Sequence, residues 1–185
     1  MRNLISGSLV LTLAVVAGGC HSKDAKSDMK SSDMKSMDTA KSADMKTCTM
    51  QSGGKNVLSV MAGKDITCTP KDGQLTLKGH GNQLDIWLIA GAKTVEEGVA
   101  KVPDQIKSEF KEFKAKHSMD MTFAGNPGKH LSGTGVEADD NDPGNAEVVV
   151  FKAGDNVFVS CVHGEHIPAD APGWMMTVLG TAKAP

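Results

Sequence analysis

The residues of this sequence with the clearest potential for chemistry are Cys161, His163 and His166. Alternate side chains of a β-strand share a face, so a strand here would place Cys161 and His163 on one side, about 7 Å apart. Thiolate and imidazole groups bind zinc and copper, and His166 would add a third ligand. The pattern predicts a zinc or copper site; the alternative is a strand end whose polar residues turn into a loop. Further ligands would come from His80, His117 or His130.

Catalysis is the weaker interpretation of the same residues. Two positions apart on a strand, Cys161 and His163 direct their reactive atoms outward rather than at each other, and no orienting Asn or Asp is evident. The sequence contains no Gly-x-Ser-x-Gly motif, phosphate-binding loop or His-Glu-x-x-His helix. We therefore predict that the protein is not an enzyme and place a hydrolase last among its candidate functions.

An acidic stretch over residues 137–145 raises the question of calcium. Closely spaced Asp and Asn oxygens bind Ca²⁺, but the position eleven residues after Asp140 is Phe151, where an EF-hand loop has Glu. We favour a solvated hairpin loop.

The balance of charges limits the partners. Without Arg2 and the six Lys and five Asp of residues 21–47, the totals of 20 basic and 22 acidic residues become 13 and 17, a net charge of −4 for the remainder. This argues against nucleic acid or anionic lipid as the partner of that part. The chain has no Tyr, five Phe and two Trp, so the core must consist mostly of Val, Leu, Ile and Met.

The first 19 residues predict export. Arg2 precedes an apolar run over residues 9–17, which is too short to cross a bilayer as a helix and is typical of a secretory signal. The run leads into Ala17-Gly18-Gly19-Cys20, which resembles the lipobox of bacterial lipoproteins, with Ala17 where that family usually has Leu. The resemblance implies acylation of Cys20 with palmitate-type chains and a lipid anchor in the bacterial cell envelope, at the outer membrane or the periplasmic side of the inner membrane. The alternative is an ordinary signal with a coincidental cysteine.

Residues 20–47 predict a lipidated cysteine followed by a disordered tether. Residues 21–47 contain no Leu, Ile, Val or aromatic residue, so they cannot bury enough apolar surface to offset the entropy lost on ordering. Thioether groups bind Cu(I), so the methionines of the tether suggest copper handling; the alternative is a spacer that arose by duplication of Ser-Asp-Met-Lys. The methionines are Met29, Met34, Met37 and Met45, with Met50 just beyond.

Residues 48–185 are predicted to form a single α+β domain. With Cys20 assigned to the anchor, Cys48 and Cys68 are predicted to form a disulfide, as is usual in exported proteins. Cys161 is predicted to be a buried thiol, and pairings that use it remain open.

The longest periodic pattern covers residues 94–116 and predicts a helix. Its apolar residues recur at steps of three and four, so they share one helical face. Thr94 and Glu97 form a capping box at its start, and Pro103 is predicted to kink the helix without dividing its apolar face. The apolar residues are Val95, Val99, Val102, Ile106, Phe110 and Phe113.

Eight strands are predicted around this helix, joined by short turns that favour antiparallel pairing. Residues 147–151 and 157–162 are apolar on both faces, which indicates a sheet covered on both sides. A helix over residues 171–182, capped by Asp170, would be the second cover. We therefore predict a largely antiparallel sheet covered on both faces by helices, an α/β/α sandwich. The other strands are 57–61, 65–69, 74–78, 83–89, 119–123 and 129–137.

This order of elements resembles the PsbP-like α/β sandwich. The resemblance covers residues 57–183 and rests on the element order, on Leu131-Ser132-Gly133-Thr134-Gly135 and on the strand over residues 157–162. It implies a non-catalytic binding or accessory module attached to a membrane or a larger assembly. The expected partners are the membrane, through the lipid anchor, and an envelope protein. Copper or zinc handling is the alternative function, and without it no cofactor is expected.

Overall fold

The computed structural model describes residues 44–185, so the predicted signal, Cys20 and the tether up to residue 43 lie outside the described residues. The described part of the chain contains nine strands and two helices. The elements are β1 (Met45–Ser52), β2 (Lys55–Gly63), β3 (Thr67–Lys71), β4 (Gln74–Gly79), β5 (Asn82–Leu88), α1 (Val95–Ile106), β6 (Phe110–Phe123), β7 (Asn126–Glu137), β8 (Pro143–Ala153), β9 (Asn156–Gly164) and α2 (Ala171–Leu179).

Seven strands form one sheet in the order β3-β4-β5-β9-β8-β7-β6, while β1 and β2 pair separately as a hairpin. Every neighbouring pair of the seven is antiparallel, so the prediction of a largely antiparallel sheet is confirmed. β8 and β9 lie inside the sheet, where apolar side chains are buried on both sides. We call the side of Val148 and Val150 the α1 face, and the side of Val149 and Phe151 the hairpin face.

α1 packs on the face named after it. Thr94 Oγ1 accepts a hydrogen bond from the Glu97 amide at 3.2 Å, so the predicted cap at Thr94 is confirmed. The Glu97 carboxylate accepts a hydrogen bond of 2.7 Å from the Lys93 amide, one residue before the position that a capping box would use. The helix continues through Pro103 as one element with one buried side. The buried residues of that side are Val95, Gly98, Val102 and Ile106.

The β1–β2 hairpin and α2 pack on the hairpin face. Cys48 on β1 forms a disulfide with Cys68 on β3, with the two Cα atoms 6.0 Å apart, and so links the hairpin to the edge of the sheet. Ser59 on β2 and Lys183 exchange two backbone hydrogen bonds of 2.9 Å, which attach the end of the chain to the hairpin. Asp170 precedes α2 but makes no side-chain cap bond. The core between these layers includes Met50, Leu58, Val60, Leu75, Leu77, Phe158, Met175 and Leu179.

The prediction of a sheet covered by helices on both faces is wrong. The domain is mostly β-structure, and its helices are only 12 and 9 residues long. On the hairpin face, two strands take the place that the prediction gave to a helix, with α2 beside them. The hairpin-face side chains of β6 and β7 are largely half-buried or exposed, without a helical layer over them.

The predicted helix over residues 94–116 ends ten residues early, at Ile106, and Phe110 begins β6. Phe110 and Phe113 are still buried in the core beneath α1. A β-bulge explains this, because the register of β6 shifts around Glu112, whose φ is 52°. An extra residue in a strand lets side chains three positions apart share a face, which imitates the step of a helix.

Each cover occupies only part of the face it packs on. α1 contacts β6, β7, β8 and β9, whereas β1 contacts β3 and β4 and α2 contacts β9. Two polar areas therefore remain open on opposite faces. One lies on the α1 face over β3–β5, and the other lies on the hairpin face over β6–β8.

Candidate functional site

The larger polar area is a groove of about 400 Å³ on the hairpin face, which we call the β6–β8 groove. Directly paired residues of antiparallel strands point to the same side of a sheet. Ser132 on β7 pairs with His117 on β6 and with Glu147 on β8, so these three side chains line the groove together. The other lining residues are Lys116, Gly133, Thr134, Asn145, His166 and Ile167.

A histidine–glutamate pair lies beside this groove, with Glu147 in the lining. His130 Nε2 is 2.6 Å from Glu147 Oε2, and the two side chains are 20% and 22% exposed. An ionised carboxylate only accepts hydrogen bonds, so the imidazole donates from Nε2. In a neutral imidazole the lone pair is then on Nδ1, which has no hydrogen-bond partner among residues 44–185 and is not enclosed in the core. The pair fixes the ring and leaves a nitrogen that can accept a hydrogen bond or bind a ligand.

β6 adds a thioether to the same face. His117, Met119 and Met121 alternate along this strand, and Met119 lies directly across from His130. Met119 is 56% exposed, more than any other large apolar side chain among the described residues. Met121 is partly buried against the core. An exposed thioether between two imidazoles has no packing role that would account for it.

The loop after β9 borders the groove. Asn145 Nδ2 donates a hydrogen bond of 3.2 Å to the Glu165 carbonyl, which holds this loop against β8. His166 follows, with its side chain 88% exposed. The border is therefore polar and accessible, as expected for a surface that meets a ligand or partner.

Of the three residues predicted to bind zinc or copper, Cys161 and His163 lie on one face and His166 on the other. Cys161 is fully buried on the α1 face, and burial raises the pKa of its thiol. His163 lies on the same face, its ring centroid 5.6 Å from that of Phe110 and its Nδ1 3.9 Å from Glu137 Oε2. His166 borders the β6–β8 groove on the other face. A metal site at these three residues stays a prediction.

The acidic loop brings carboxylates together. Among residues 44–185, the group of three whose candidate metal-binding atoms lie within 4.8 Å of one another is Glu137, Asp139 and Asp140. Carboxylates of the loop accept hydrogen bonds from its own amides, including 3.0 Å from the Asp142 amide to Asp140 Oδ1. Lys111 Nζ donates to Asn141 Oδ1 at 3.0 Å. These bonds fit the solvated hairpin loop that we favour.

The second polar area, of about 230 Å³, surrounds Asp85 on the α1 face. Asp85 is 2% exposed, and its carboxylate accepts hydrogen bonds from the Thr76 hydroxyl, from Gln83 Nε2 at 2.6 Å and from Gln74 Nε2 at 3.3 Å. A buried carboxylate with three donors is a satisfied structural group. We therefore place the candidate functional site in the β6–β8 groove.

Sequence reasoning missed Met119 and Glu147 as site residues. The signal for Met119 was present, because His117, Met119 and Met121 alternate with the period of a strand. Glu147 gave no such signal. It is 17 residues from His130, and only the register of β7 on β8 brings the two together.

No protein-family model and no curated protein sequence matches this chain. Similar solved structures include the solution structure of cyanobacterial PsbP (CyanoP) from Synechocystis sp. PCC 6803, with 12% identity, 82% of this chain and 99% of that chain covered, and a TM-score of 0.49. LpqN, involved in cell envelope biogenesis of Mycobacterium tuberculosis, has 11% identity, 76% and 91% coverage, and a TM-score of 0.43. PA94 from Pseudomonas aeruginosa, a protein of unknown function and putative regulator, has 15% identity, 62% and 81% coverage, and a TM-score of 0.39. Similarity at this level transfers no function.

Neither α1 nor α2 has the length and apolar character of a membrane-spanning helix.

Proposed function

We propose that this protein is a non-catalytic binding or accessory module of the bacterial cell envelope, anchored by lipid at Cys20, and that it contacts its ligand through the β6–β8 groove. The observation that carries the proposal is the incomplete cover of the hairpin face. It leaves a polar groove of about 400 Å³ lined by imidazole, carboxylate, amide and hydroxyl groups. Such convergent polar groups are what a binding site needs for orientation and specificity.

The anchor and tether come from the sequence. Cys20 follows a signal-like segment and precedes 23 residues of tether composition before the described domain, and a disordered chain of that length would span on the order of 25 Å. A domain held at that distance reaches partners in the envelope while staying attached. The attachment site is the outer membrane or the periplasmic side of the inner membrane.

The described residues favour binding over catalysis. Cys161, the free thiol of the domain, is enclosed in the core, and burial raises its pKa, so it stays protonated at neutral pH. A thiol in that state is a poor nucleophile. The His130–Glu147 pair has no Ser or Cys hydrogen-bonded to it among the described residues.

Site-specific photo-crosslinking in intact cells tests the binding surface. A photoreactive residue at Lys116 or Asn145 would face the groove, whereas the same residue at Lys107 would lie on the exposed side beyond α1. We expect discrete adducts from the two groove positions and none from Lys107. The adducts should disappear in a Ser132→Arg background, because the long side chain would fill the groove. Equal adducts from all three positions would contradict the proposal.

Fractionation of the same cells tests the anchor. The wild-type protein should stay with the membranes until detergent is added, and Cys20→Ser should be released in soluble form. A Cys20→Ser protein that still requires detergent would contradict lipid anchoring.

A further inference from the structure

Three side chains that can bind soft or intermediate metal ions occupy neighbouring positions on the hairpin face. His117 and Met119 are alternate residues of β6, and His130 lies directly across from Met119 on β7. Directly opposed residues have Cβ atoms about 5 Å apart, and diagonal neighbours such as His117 and His130 are about 7–8 Å apart. Imidazole and thioether side chains of this length can converge on one ion from those positions.

The surroundings of His130 suit a metal ligand. Metal-binding histidines almost always donate the ring N–H that is not bound to the metal to a carboxylate, a carbonyl or water, which fixes the tautomer and the orientation of the ring. His130 has this arrangement, with Glu147 at 2.6 Å from Nε2 and with Nδ1 free of partners among residues 44–185. The carboxylate is thus placed to orient His130, and the open nitrogen is on the side of the ring away from it.

The exposed thioether decides which metal fits. Zinc sites in proteins use thiolate, imidazole and carboxylate groups, whereas thioethers favour Cu(I), a soft ion. Met119 is 56% exposed, so a Met here gains no burial that would explain it. The two imidazoles beside it, His117 and His130, also bind copper, whereas the neighbouring thioether of Met121 is partly buried against the core.

We propose that His117, Met119 and His130 bind one Cu(I) ion at the edge of the β6–β8 groove, which His117 and Glu147 line, with Glu147 as the positioning residue for His130. The inference rests on the proposed function, because it adds a bound metal ion to the surface that is proposed to meet the envelope partner. It is independent of Cys161, His163 and His166, and of the methionines of the tether.

The test is Cu(I) binding by the full chain, with the metal supplied anaerobically in competition with the chelator bathocuproine disulfonate. Met119→Leu keeps the size of an exposed side chain and removes only the thioether, so we expect affinity for Cu(I) to fall about tenfold or more. His117→Asn and His130→Asn should do the same. X-ray absorption of the loaded wild type should show one sulfur and two nitrogen ligands.

Matched controls separate this site from other methionines and histidines. Met121→Leu, on the same face but partly buried, and His80→Gln, next to Asp65 away from the groove, should leave the affinity unchanged. A variant with the three methionines that precede β1 changed to Leu (Met29, Met34 and Met37) should keep the tight site. Thermal melting confirms that each variant is folded, and His117 and Met119 are exposed enough to be changed without loss of the fold.

Two results would overturn the proposal. In one, Met119→Leu binds Cu(I) as tightly as the wild type; in the other, tight binding disappears with the tether methionines alone. Neither result would remove the groove-specific crosslinks from Lys116 and Asn145, so failure of the copper site and failure of the proposed function can be told apart.

Discussion

Asp85 on β5 lies directly across from Cys161 on β9, so a buried carboxylate and a buried thiol share the α1 face of the sheet. Burial is the main reason that the pKa of Cys161 is raised above its ordinary value of 9.0, and the negative charges of Asp85, Glu109 and Glu147 add to it. The thiolate would be an unpaired charge in the core. The thiol therefore stays neutral as long as the domain is folded.

This relationship predicts a loss of stability at alkaline pH. In the unfolded chain Cys161 loses its proton near its ordinary pKa of 9.0, while in the folded chain it keeps the proton. The folded state thus binds more protons above that pH, and the free energy of unfolding falls as pH rises. The stabilisation is complete below about pH 8 and should have fallen by about 1.4 kcal/mol at one unit above pH 9.0.

Urea unfolding of wild type and Cys161→Ala from about pH 7 to about pH 10 measures the effect. The variant is expected to be less stable at neutral pH because it leaves a small cavity, but its stability should decline less steeply above pH 9.0. Ionisable groups other than Cys161 are present in both proteins, so their contributions to the pH dependence of the free energy of unfolding cancel in the difference between the two profiles. Parallel pH profiles for the two proteins would contradict the raised pKa.

The same burial predicts that Cys161 is chemically silent in the native protein. Alkylation requires the thiolate and access to it, and Cys161 has neither while folded. We expect iodoacetamide at about pH 8 to leave the peptide that contains Cys161 unmodified, and to modify it fully after denaturation. Mass spectrometry of the digested protein measures both states. Rapid labelling of native protein would show that β9 opens readily, contrary to its central place in the sheet.

The disulfide predicts a measurable share of the domain's stability. Cys48 and Cys68 are 20 positions apart, and closing a loop of that length in the unfolded chain removes entropy worth about 3 kcal/mol. A Cys48→Ala/Cys68→Ala variant should lose about that much free energy of unfolding, because Cys48 is buried and Ala keeps its surroundings apolar. Denaturant unfolding with and without reductant measures it. Reductant should destabilise the wild type and have no effect on the double variant; an equal effect on both would contradict a stabilising crosslink.

The sequence predicted most elements but not how they are arranged. The antiparallel strands and the capping of α1 by Thr94 follow from local signals, since strand alternation and helix capping depend on near neighbours. The segment with Phe110 and Phe113 was assigned to the wrong element, because a bulge at Glu112 gives a strand the spacing of a helix. The sequence analysis did not predict β1. One reason is that its first residues, from Met45, have the composition of the tether.

Local sequence patterns could not predict the candidate site. The histidines were recognised as possible ligands, but the sequence grouped them with Cys161, which turns into the core. The contact between His130 and Glu147 depends on the pairing of β7 with β8, and the groove exists only because α2 and the β1–β2 hairpin stop short of β6. Both are consequences of long-range packing, for which no residue near His130 carries a signal.

The close seating of α1 on the sheet gives a final prediction. A Cβ atom on Gly98 would lie 2.7 Å from Cγ1 of both Val150 and Val157, two stiff, fully buried side chains of β8 and β9. Gly→Ala within an exposed helix stabilises by about 1 kcal/mol, whereas inserting an extra carbon into a packed core costs about 1–3 kcal/mol. We expect the second effect to prevail, so that Gly98→Ala lowers the free energy of unfolding by about 1–2 kcal/mol. Gly173→Ala in α2 is the matched control, because its Cβ would meet nothing within 4 Å and should leave stability unchanged or slightly raised. If both substitutions stabilised the protein equally in urea unfolding, the close packing of α1 on β8 and β9 at Gly98 would be contradicted.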